Sequence, residues 1–529
     1  MPKRIRPTNS KVFMEGGRKH KLNMKPRKIF DLASSKNNLL QHGLLPVSES
    51  GILQLSQSPV QKAIYNISNY LLLQKVCRGD IIITITTGCK EWNWVDLAVM
   101  NIGAIHVTLS PTITVAQLNN ILTETAPVLM FVQSGFVIPI LESCSYYQSH
   151  HIPVVFLKPS ENTAGLKLSS IVDENLSNHQ IECIENLKAG IGDNDIALIS
   201  YTSGTSDNLK GVQHSHRSVM DQVEVISEFY KFDEVKCAFS FLPVNYMYER
   251  LFNYIYQFVN IPIVYADNNL SLLQNLVASK AGCCAMVPET LQLLLNTPWE
   301  VEALTSTLRF FFCGGAPLNS AIVDTYAALG IKIFEHYGST ETLIVSLNSH
   351  RFFRAGTPGK LIFPERCKTG SDGTLYYKST FSGYFNNAGL NHRKIDPEGF
   401  YETGDIAEVD KDGFLTVKGR NSEMFKTNSG VFINPEDIEK KIALFCKASF
   451  IVVYRNNNLK PSAIIVPEPG IEDTVITNAV TTYNLSAKTD YVIEKIKIVR
   501  DQWSELTGEL TGTRKIKRSF VIKKYGLDE

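Results

Sequence analysis

The sequence predicts an α/β protein with a large N-terminal body of parallel sheets flanked by helices, a small β subdomain, and a smaller α+β C-terminal domain. Two patterns lead to this prediction. From about Val60 to Phe334, short apolar runs alternate with longer helical patterns, which is typical of parallel sheets covered on both faces. After about Gly356, the apolar runs are shorter and are separated by glycines and Asp-Gly pairs, which favours antiparallel hairpins.

Each element follows from local periodicity. Apolar residues at helical spacing predict helices, and short runs rich in β-branched and aromatic residues predict strands. Helices are predicted at 61–72, 92–101, 115–123, from about 218, and at 435–444. Strands are predicted at 81–85, 104–109, 128–132, 196–199, 238–242, 261–265, 284–287, 308–313, 331–334, 375–378, 401–409, 414–417 and 449–454.

Composition and charge narrow the class of protein. The chain has 529 residues, enough for several domains, and its formal net charge of +1 gives no reason to expect a nucleic-acid partner. Its ten cysteines include no Cys-x-x-Cys pair, so core thiols in a reducing compartment are expected, not a disulfide framework or a zinc site. No apolar run reaches the length of a membrane span. We therefore expect a cytoplasmic globular protein.

Three regions are expected along the chain. Residues 1–35 form a basic tail, because the first 28 residues hold ten lysines and arginines against one acid, Glu15. Such a tail is usually solvated and flexible; attraction to an anionic membrane surface or another polyanion, or a targeting presequence, are the alternatives. Residues 36–420 form the large domain, with the β subdomain from about 356. Residues 421–529 form the small domain, because a polar segment starts after Arg420.

The stretch 199–212 carries the strongest functional signal. An apolar strand leads into a loop of hydroxyl and small residues at 202–206, then to Lys210 and a helical pattern from about 218. In a strand, loop and helix of this kind, N–H groups and hydroxyls converge on an anion and a lysine adds positive charge. It is not a Walker A loop, because the Gly-Lys-Ser/Thr ending is absent. Taken alone, a surface turn explains the stretch equally well.

Several other motifs could contact a nucleotide. Gly-Gly-Ala-Pro at 314–317 follows a predicted strand and opens a helix, where glycines let a planar ligand approach the backbone. The motif at 337–342 follows another predicted strand and supplies an aromatic ring, hydroxyls and a carboxylate. Asp405 is expected in a tight turn, where a carboxylate suits a sugar diol. Each motif also has an ordinary structural explanation, as a helix entry, a helix cap or a turn, and the basic residues at 514–518 could be a solvated surface.

In their order along the chain, these motifs resemble the adenylate-forming (AMP-binding) superfamily of acyl-CoA synthetases, peptide-synthetase adenylation domains and luciferases. The motif sequences are most similar to those of long-chain fatty-acid–CoA ligases, and the resemblance covers about residues 60 to 529. Several matches in the right order make it specific. The matching stretches are 201–211 (YTSGTTGxPKG in the family), 242–250 (LPLxHxxER), 313–318 (GGAPL), 337–342 (YGxTET), 403–405 (TGD), 412–420 (DGxLxxxGR), 423–439, and 510–518 (LTPTxKxxR).

The resemblance implies a ligase that uses ATP, Mg²⁺ and CoA on a carboxylic acid, expected to be a medium- or long-chain fatty acid. The carboxylate attacks the α-phosphorus, pyrophosphate leaves, and a thiol then displaces AMP from the acyl-adenylate. The implied nucleotide-binding residues are Thr202, Ser203, Gly204, Thr205 and Lys210 at the β- and γ-phosphates, Gly314, Gly315, Ala316 and Tyr337 at the adenine, and Asp405 and Arg420 at the ribose. The implied catalytic residues are Lys515, Thr340 and Glu341, with Glu341 also binding Mg²⁺.

The resemblance further implies that the C-terminal domain rotates between the two steps. Ser422 would lie at the hinge, Lys515 would act in the first step, and Gly430 would line the path of CoA in the second. Tyr246 stands where the family usually has a histidine and would gate the acyl site. The implied partners are the fatty acid, ATP and CoA, with no nucleic acid, and the basic tail offers a peripheral membrane contact.

The chain departs from the family at a few positions. Ser206, Asp207 and Leu209 replace Thr, Gly and Pro of the phosphate loop, and Gly512 replaces a proline. A carboxylate beside a triphosphate is repulsive unless it points away or meets a cation. Two alternatives therefore stay open: an enzyme that loads an acyl carrier protein or another acceptor, and a non-catalytic adenylate-binding scaffold. The catalytic lysine and both carboxylates are present, which favours an enzyme.

Overall fold

The computed structural model describes residues 3–4, 28–34, 59–158, 165–202, 209–266, 270–295, 304–504, 507–511 and 515–526. The chain divides into two compact units. The larger unit comprises Pro7–Pro364 and Lys378–Gly399, and the smaller unit comprises Met1–Arg6, Glu365–Tyr377 and Phe400–Glu529. The domain limits at 35 and 420 stay a prediction, and most of the basic tail lies outside the described residues.

In the described part of the larger unit, the strands form two seven-stranded sheets. The first sheet is parallel except for its last strand, and the second is parallel through its first five strands and antiparallel beyond them. The order in the first sheet is Leu166–Lys167, Val154–Phe156, Leu129–Val132, Ile81–Ile85, Ile105–Leu109, Ile196–Thr202 and Lys210–Ser215. The order in the second is Ile263–Tyr265, Ala238–Ser240, Cys283–Met286, Phe310–Cys313, Lys332–Ser339, Leu343–Leu347 and Lys360–Leu361.

Helices bury both faces of the first sheet. Side chains alternate along a strand, and Ile82 packs in one apolar cluster while Ile81, Ile83 and Ile85 pack in another. This is the predicted arrangement of a strand covered on both sides. Among the described residues, the α-helices of the larger unit are Pro59–Leu73, Lys90–Asn101, Val115–Thr125, Ile138–Glu142, Ser145–His150, Leu168–Val172, Asn178–Gly190, His216–Ser227, Met247–Phe258, Leu272–Ser279, Pro288–Leu295, Ser320–Ala328 and Ala388–Lys394. The 3-10 helices in the described part of the chain are Ile29–Ser34, Gly135–Val137, Pro364–Arg366 and Thr489–Tyr491.

A buried ionic network joins two helices of the larger unit. Arg250 on Met247–Phe258 pairs with Asp96 on Lys90–Asn101, and both side chains are almost completely buried. Tyr254 Oη donates to Asp96 Oδ2 at 2.7 Å. Although burial opposes it, Arg250 lowers the pKa of Asp96, so the carboxylate is charged. The arginine of the family-like 242–250 stretch is therefore a structural residue.

The smaller unit contains three sheets in its described part. An antiparallel sheet has the order Lys3–Arg4, Cys367–Thr369, Thr374–Tyr377, Tyr401–Val409 and Leu415–Arg420. A two-stranded hairpin joins Phe425–Lys426 to Phe432–Ile433. The third sheet has the order Ala448–Arg455, Pro461–Pro467 and Lys495–Ile498, and the helices are Pro435–Ala443, Asp473–Ser486 and Arg518–Tyr525.

The predicted fold class is confirmed, and most predicted elements are found within a few residues of their predicted limits. Ile81–Ile85 and Tyr401–Val409 agree at both ends. Several elements were not predicted, among them the strands Lys210–Ser215 and Pro461–Pro467 and the helices Asn178–Gly190 and Asp473–Ser486. None of the helices in the described residues has both the length and the apolarity that crossing a bilayer requires.

Candidate functional site

The hydroxyl-rich loop is the connection of a β-hairpin in the larger unit. Ile196–Thr202 pairs antiparallel with Lys210–Ser215, and Thr202 lies opposite Lys210. The predicted order of strand, loop and helix was therefore wrong, because a second strand separates the loop from the helix. A six-residue strand spans about 20 Å, so the N-terminus of His216–Ser227 is too far away to favour an anion in the loop.

Residues 203–208 lie outside the described residues. The predicted phosphate ligands Ser203, Gly204 and Thr205 therefore stay predictions, as does the orientation of Asp207. Thr202 and Lys210 are both half-buried at the open end of the hairpin. The structure thus gives the two flanks of the predicted cradle.

His214 links this hairpin to the Thr340–Glu341 turn. Its Nε2 lies 2.8 Å from the carbonyl oxygen of Thr340. Burial lowers the pKa of His214 to about 4, so the ring is neutral at neutral pH and Nε2–H donates to that carbonyl. Thr340 and the hairpin of Ile196–Thr202 and Lys210–Ser215 are thereby held together by one partly buried hydrogen bond.

The Thr340–Glu341 turn is itself tightly built. It connects the antiparallel strands Lys332–Ser339 and Leu343–Leu347. A Cβ atom on Gly338 would lie 1.7 Å from the carbonyl oxygen of Leu343, so only glycine fits there. The Ser339 N–H donates to Thr342 Oγ1 at 2.9 Å. The turn therefore has a fixed shape before any ligand arrives.

Glu341 is held in the larger unit by the stretch Lys378–Gly399. Tyr384 Oη donates to Glu341 Oε1 at 2.8 Å, and Ser379 Oγ donates to the Glu341 carbonyl oxygen. Tyr384 also forms a β-bridge with Val212 of the hairpin. In the described residues, no three His, Cys, Asp or Glu side chains group as a metal centre. One carboxylate suits Mg²⁺ that takes its other ligands from phosphates and water, and Glu341 fits that role.

The predicted adenine residues lie on or directly after neighbouring parallel strands. Phe310–Cys313 pairs with Lys332–Ser339, and Cys313 lies opposite Glu335, so Gly314, which follows the first strand, lies beside the part of the second strand that carries Tyr337. Gly315 has φ of +88°, in the left-handed region that favours glycine, and is exposed, while Ala316 is half-buried. The prediction that the 337–342 motif follows a strand was wrong in part, because Tyr337 to Ser339 still belong to it.

Tyr246 precedes the helix Met247–Phe258. Its N–H donates to the Pro243 carbonyl at 3.0 Å, and its side chain does not cap the helix. The residue is half-buried. An aromatic ring at this helix entry is compatible with the predicted gate.

In the smaller unit, Asp405 and Arg420 face each other across paired strands. Arg420 Nε lies 3.1 Å from Asp405 Oδ1. The prediction of a tight turn at Asp405 was wrong, because the residue lies inside Tyr401–Val409. Gly404 has φ of +78°, so the strand is locally distorted there. The predicted ribose-binding pair is thus brought together.

Lys515 follows a short loop closed by a bridge between Leu510 and Ile516. Its N–H donates to Thr511 Oγ1 at 3.0 Å. Although the residue has an exposed surface, desolvation lowers the pKa of Lys515 and Arg420 lowers it further. Glu423, Asp405 and Glu436 oppose this shift.

Asp405, Arg420 and Lys515 therefore share one electrostatic environment within the smaller unit. Gly512, the departure that precedes the lysine, lies outside the described residues.

Arg518 is distinguished from Lys515 by its partners. It pairs with Glu439 and with Glu423, its Nε lying 3.1 Å from Glu423 Oε2. Glu439 also accepts from the Val453 N–H at 2.6 Å. Arg518 therefore holds the smaller unit together internally.

The predicted hinge residue and CoA-path residue lie in exposed segments of the smaller unit. Ser422 is exposed in a turn after Leu415–Arg420. Gly430 lies at the exposed tip of the hairpin between Phe425–Lys426 and Phe432–Ile433, with φ of +83°. The tip is tied to Asp490, which accepts from Thr427 Oγ1 at 3.1 Å and from Ser429 Oγ.

Sequence reasoning did not find the residues that position this site. His214, Ser379 and Tyr384 all lie outside the family-like motifs, although His214 comes shortly after the 201–211 stretch. Its one sequence signal is alternation, because Val212 and His214 stand two apart and both are buried. No local sequence pattern identifies Tyr384 as a residue of the site.

The fold is that of an adenylate-forming ligase. A solved structure of the anthranilate CoA ligase AuaEII with anthranoyl-AMP superposes with a TM-score of 0.78, covering 94% of this chain and 97% of that one at 18% identity. The chain belongs to the family of AMP-binding enzymes, whose profile matches residues 52–375.

Curated relatives share low sequence identity with this chain but align with most of its length. The long-chain-fatty-acid–CoA ligase FadD15 of Mycobacterium bovis is 23% identical, covering 85% of this chain and 87% of its own length. The medium-chain fatty-acid–CoA ligase of Escherichia coli K12 is 26% identical, covering 70% and 69%.

Proposed function

We propose that this chain joins a fatty acid to CoA in two steps, using ATP and releasing AMP and pyrophosphate. The observation that carries the proposal is that contacts in the larger unit connect the segments of three polar residues, Lys210, Thr340 and Glu341. His214 of the Lys210–Ser215 strand bonds the turn of Thr340, and Tyr384 bridges the same strand to Glu341. A cation, a hydroxyl and a carboxylate on one framework suit a triphosphate with its metal ion.

In the first step, the acid's carboxylate attacks the α-phosphorus and pyrophosphate leaves. Lys210 and the hydroxyl of Thr202 hold the leaving phosphates, and Thr340 contacts the α-phosphate. Glu341 would hold Mg²⁺, which when bound neutralises charge on the phosphate oxygens. Lys515 places its ammonium group at the oxygens where charge develops.

Different residues bind the base and the ribose of the nucleoside. Tyr337 stacks on the adenine beside Gly314, because an aromatic face and an open backbone accept a planar base. Asp405, oriented by Arg420, accepts from the ribose hydroxyls. These contacts orient the α-phosphorus for in-line attack.

In the second step, the CoA thiol attacks the acyl carbonyl, the bond to AMP breaks, and the thiol proton passes to solvent. The hairpin around Gly430 lines the approach of the thiol after rotation about Ser422. A fatty acid is proposed as the substrate for two reasons. The 242–250 and 423–439 stretches resemble the motifs of long-chain ligases, and relatives named as fatty-acid–CoA ligases match most of the chain. The basic tail would support peripheral contact with an anionic membrane.

The test separates the half-reactions. ATP–pyrophosphate exchange reports the first step, and thioester formation from supplied acyl-adenylate reports the second. Lys515→Ala is expected to abolish exchange and spare thioester formation, whereas the neighbouring control Lys517→Ala should retain both. Equal loss of both half-reactions in Lys515→Ala would contradict the role of the lysine.

The same assays distinguish the alternatives. If a phosphopantetheinyl carrier takes the acyl group and CoA does not, the chain is a carrier-loading enzyme. If the folded chain binds ATP but no acid in a panel of fatty, aryl and dicarboxylic acids supports exchange, it is a scaffold.

A further inference from the structure

A closely packed group of rings lies beside Gly314 and Tyr337 in the larger unit. We call it the aromatic wall; its members are Tyr230, Tyr248, Phe252, Phe312 and His336. Phe252 and Phe312 are completely buried, and His336 and Tyr230 are each 6% exposed. The ring of His336 is parallel to that of Phe252 within 8°, at 5.6 Å between centroids, and Phe252 lies 4.3 Å from Phe312.

Hydrogen bonds fix the wall in one arrangement. Tyr230 Oη donates to the Asn348 carbonyl at 2.9 Å. With its hydrogen so used, Tyr230 accepts from Nε2–H of His336, 2.5 Å away. Nδ1 of His336 then accepts from Tyr248 Oη at 2.9 Å. Burial lowers the pKa of His336 to about 3, so the ring stays neutral and this one-way chain is complete.

The outer member of the wall meets the nucleotide side of the unit. A Cβ atom added to Gly314 would lie 3.2 Å from Cε2 of the Tyr248 ring and 3.4 Å from the His336 carbonyl oxygen. Tyr248 is half-buried, so its ring is the surface that a group bound beside Gly314 would meet. Behind it, the rings of His336, Phe252 and Phe312 are stacked, with centroids 4.3 to 5.7 Å apart.

We propose that the aromatic wall closes the acyl pocket, so that the enzyme takes short- or medium-chain acids in preference to long-chain ones. The inference rests on the proposed function: if Thr340 contacts the α-phosphate, the attacking carboxylate lies at the same turn, which follows the strand that carries His336. A long alkyl chain entering there would have to displace Tyr248 and break its bond to His336. Forcing extra methylene groups into a packed core strains it and lowers binding.

The experiment compares straight-chain acids from butyrate to palmitate by ATP–pyrophosphate exchange with the wild-type full chain. We expect kcat/KM for the best short- or medium-chain acid to exceed that for palmitate by at least about 100-fold. Equal or higher values for palmitate would overturn the inference while leaving the proposed function intact. Absence of exchange with every acid would overturn the proposed function and the inference with it.

Two variants at one position sharpen the test. Tyr248→Ala removes the outer ring and should reduce the preference over palmitate by about tenfold or more. Tyr248→Phe keeps the ring and loses only its hydroxyl, so it should retain the ranking of acids. A Tyr248→Ala enzyme with an unchanged ranking would contradict the assignment. If that variant does not fold, the wild-type comparison decides alone.

Discussion

The hairpin tip around Gly430 depends on one carboxylate outside every family-like motif. Asp490 lies in the 3-10 helix Thr489–Tyr491 and is half-buried. Its Oδ1 accepts from Thr427 Oγ1 at 3.1 Å and from Ser429 Oγ. Asp490→Ala removes both of these hydrogen bonds to the tip, while the bond from Asn428 Nδ2 to the Asn458 carbonyl at 2.8 Å remains.

The size of the effect follows from these bonds. A hydrogen bond to a charged acceptor contributes about 1.5–3 kcal/mol. The Thr427 bond is taken at about 1.5 kcal/mol and the bond from Ser429, which is exposed, at about 0.5 kcal/mol, which gives about 2 kcal/mol together. A change of 1.4 kcal/mol is tenfold in population. If the ordered tip is the form that admits the thiol, kcat/KM for CoA should fall by about ten- to thirtyfold.

The assay again uses the two half-reactions. Thioester formation from supplied acyl-adenylate at varied CoA should show the loss, and ATP–pyrophosphate exchange should not change. Asp473→Ala is the matched control, because Asp473 is an exposed carboxylate of the same unit that pairs with Arg500.

The half-reaction comparison also separates a positioning role from a general structural one. A loss of exchange equal to the loss of thioester formation would mean that Asp490 only stabilises the unit. Unchanged kinetics for CoA in Asp490→Ala would show that Asp490 does not order the tip for CoA.

Two further predictions concern stability. Burial raises the pKa of Glu249 to about 8, despite the bond from Ser240 Oγ at 2.5 Å; the native state therefore holds one more proton than the unfolded state between about pH 4.5 and 8. The free energy of unfolding should thus fall by about 1.4 kcal/mol per pH unit across that window. Urea denaturation should show a shallower fall in Glu249→Gln, and equal slopes would contradict this. Arg518→Ala leaves Glu439 without its main cation and should cost about 3 kcal/mol, measured by denaturation against Lys517→Ala, and a loss no larger than that of the control would refute it.

The sequence predicted the parallel strands well because burial on both faces leaves an uninterrupted apolar run, as in Ile81–Ile85. It missed Lys210–Ser215 because polar residues Gln213 and His214 interrupt that signal. Their place in the sheet depends on distant partners, Thr340 and Tyr384. The alternation of Val212 and His214 is too short a pattern to predict such a strand.

The candidate site divides in the same way. Motif spelling pointed to Thr340, Glu341 and Lys515, because the groups that would touch the nucleotide are fixed by its chemistry. The groups that hold them are fixed by the fold: His214 bonds a carbonyl 126 residues away, and Tyr230 meets His336 across 106 residues. Contacts of that range come from topology, which one sequence does not specify residue by residue.

The smaller unit is assembled from separate stretches of chain, and this has a mechanical consequence. The backbone passes between the units after Arg6, Pro364, Tyr377 and Gly399. A body that turned as a whole at this boundary would twist four covalent connections at once, whereas turning about Ser422 twists only one. The proposed rotation about Ser422 can therefore be tested by stiffening single connections: Ser422→Pro should slow the switch between the half-reactions, and Lys378→Pro should not.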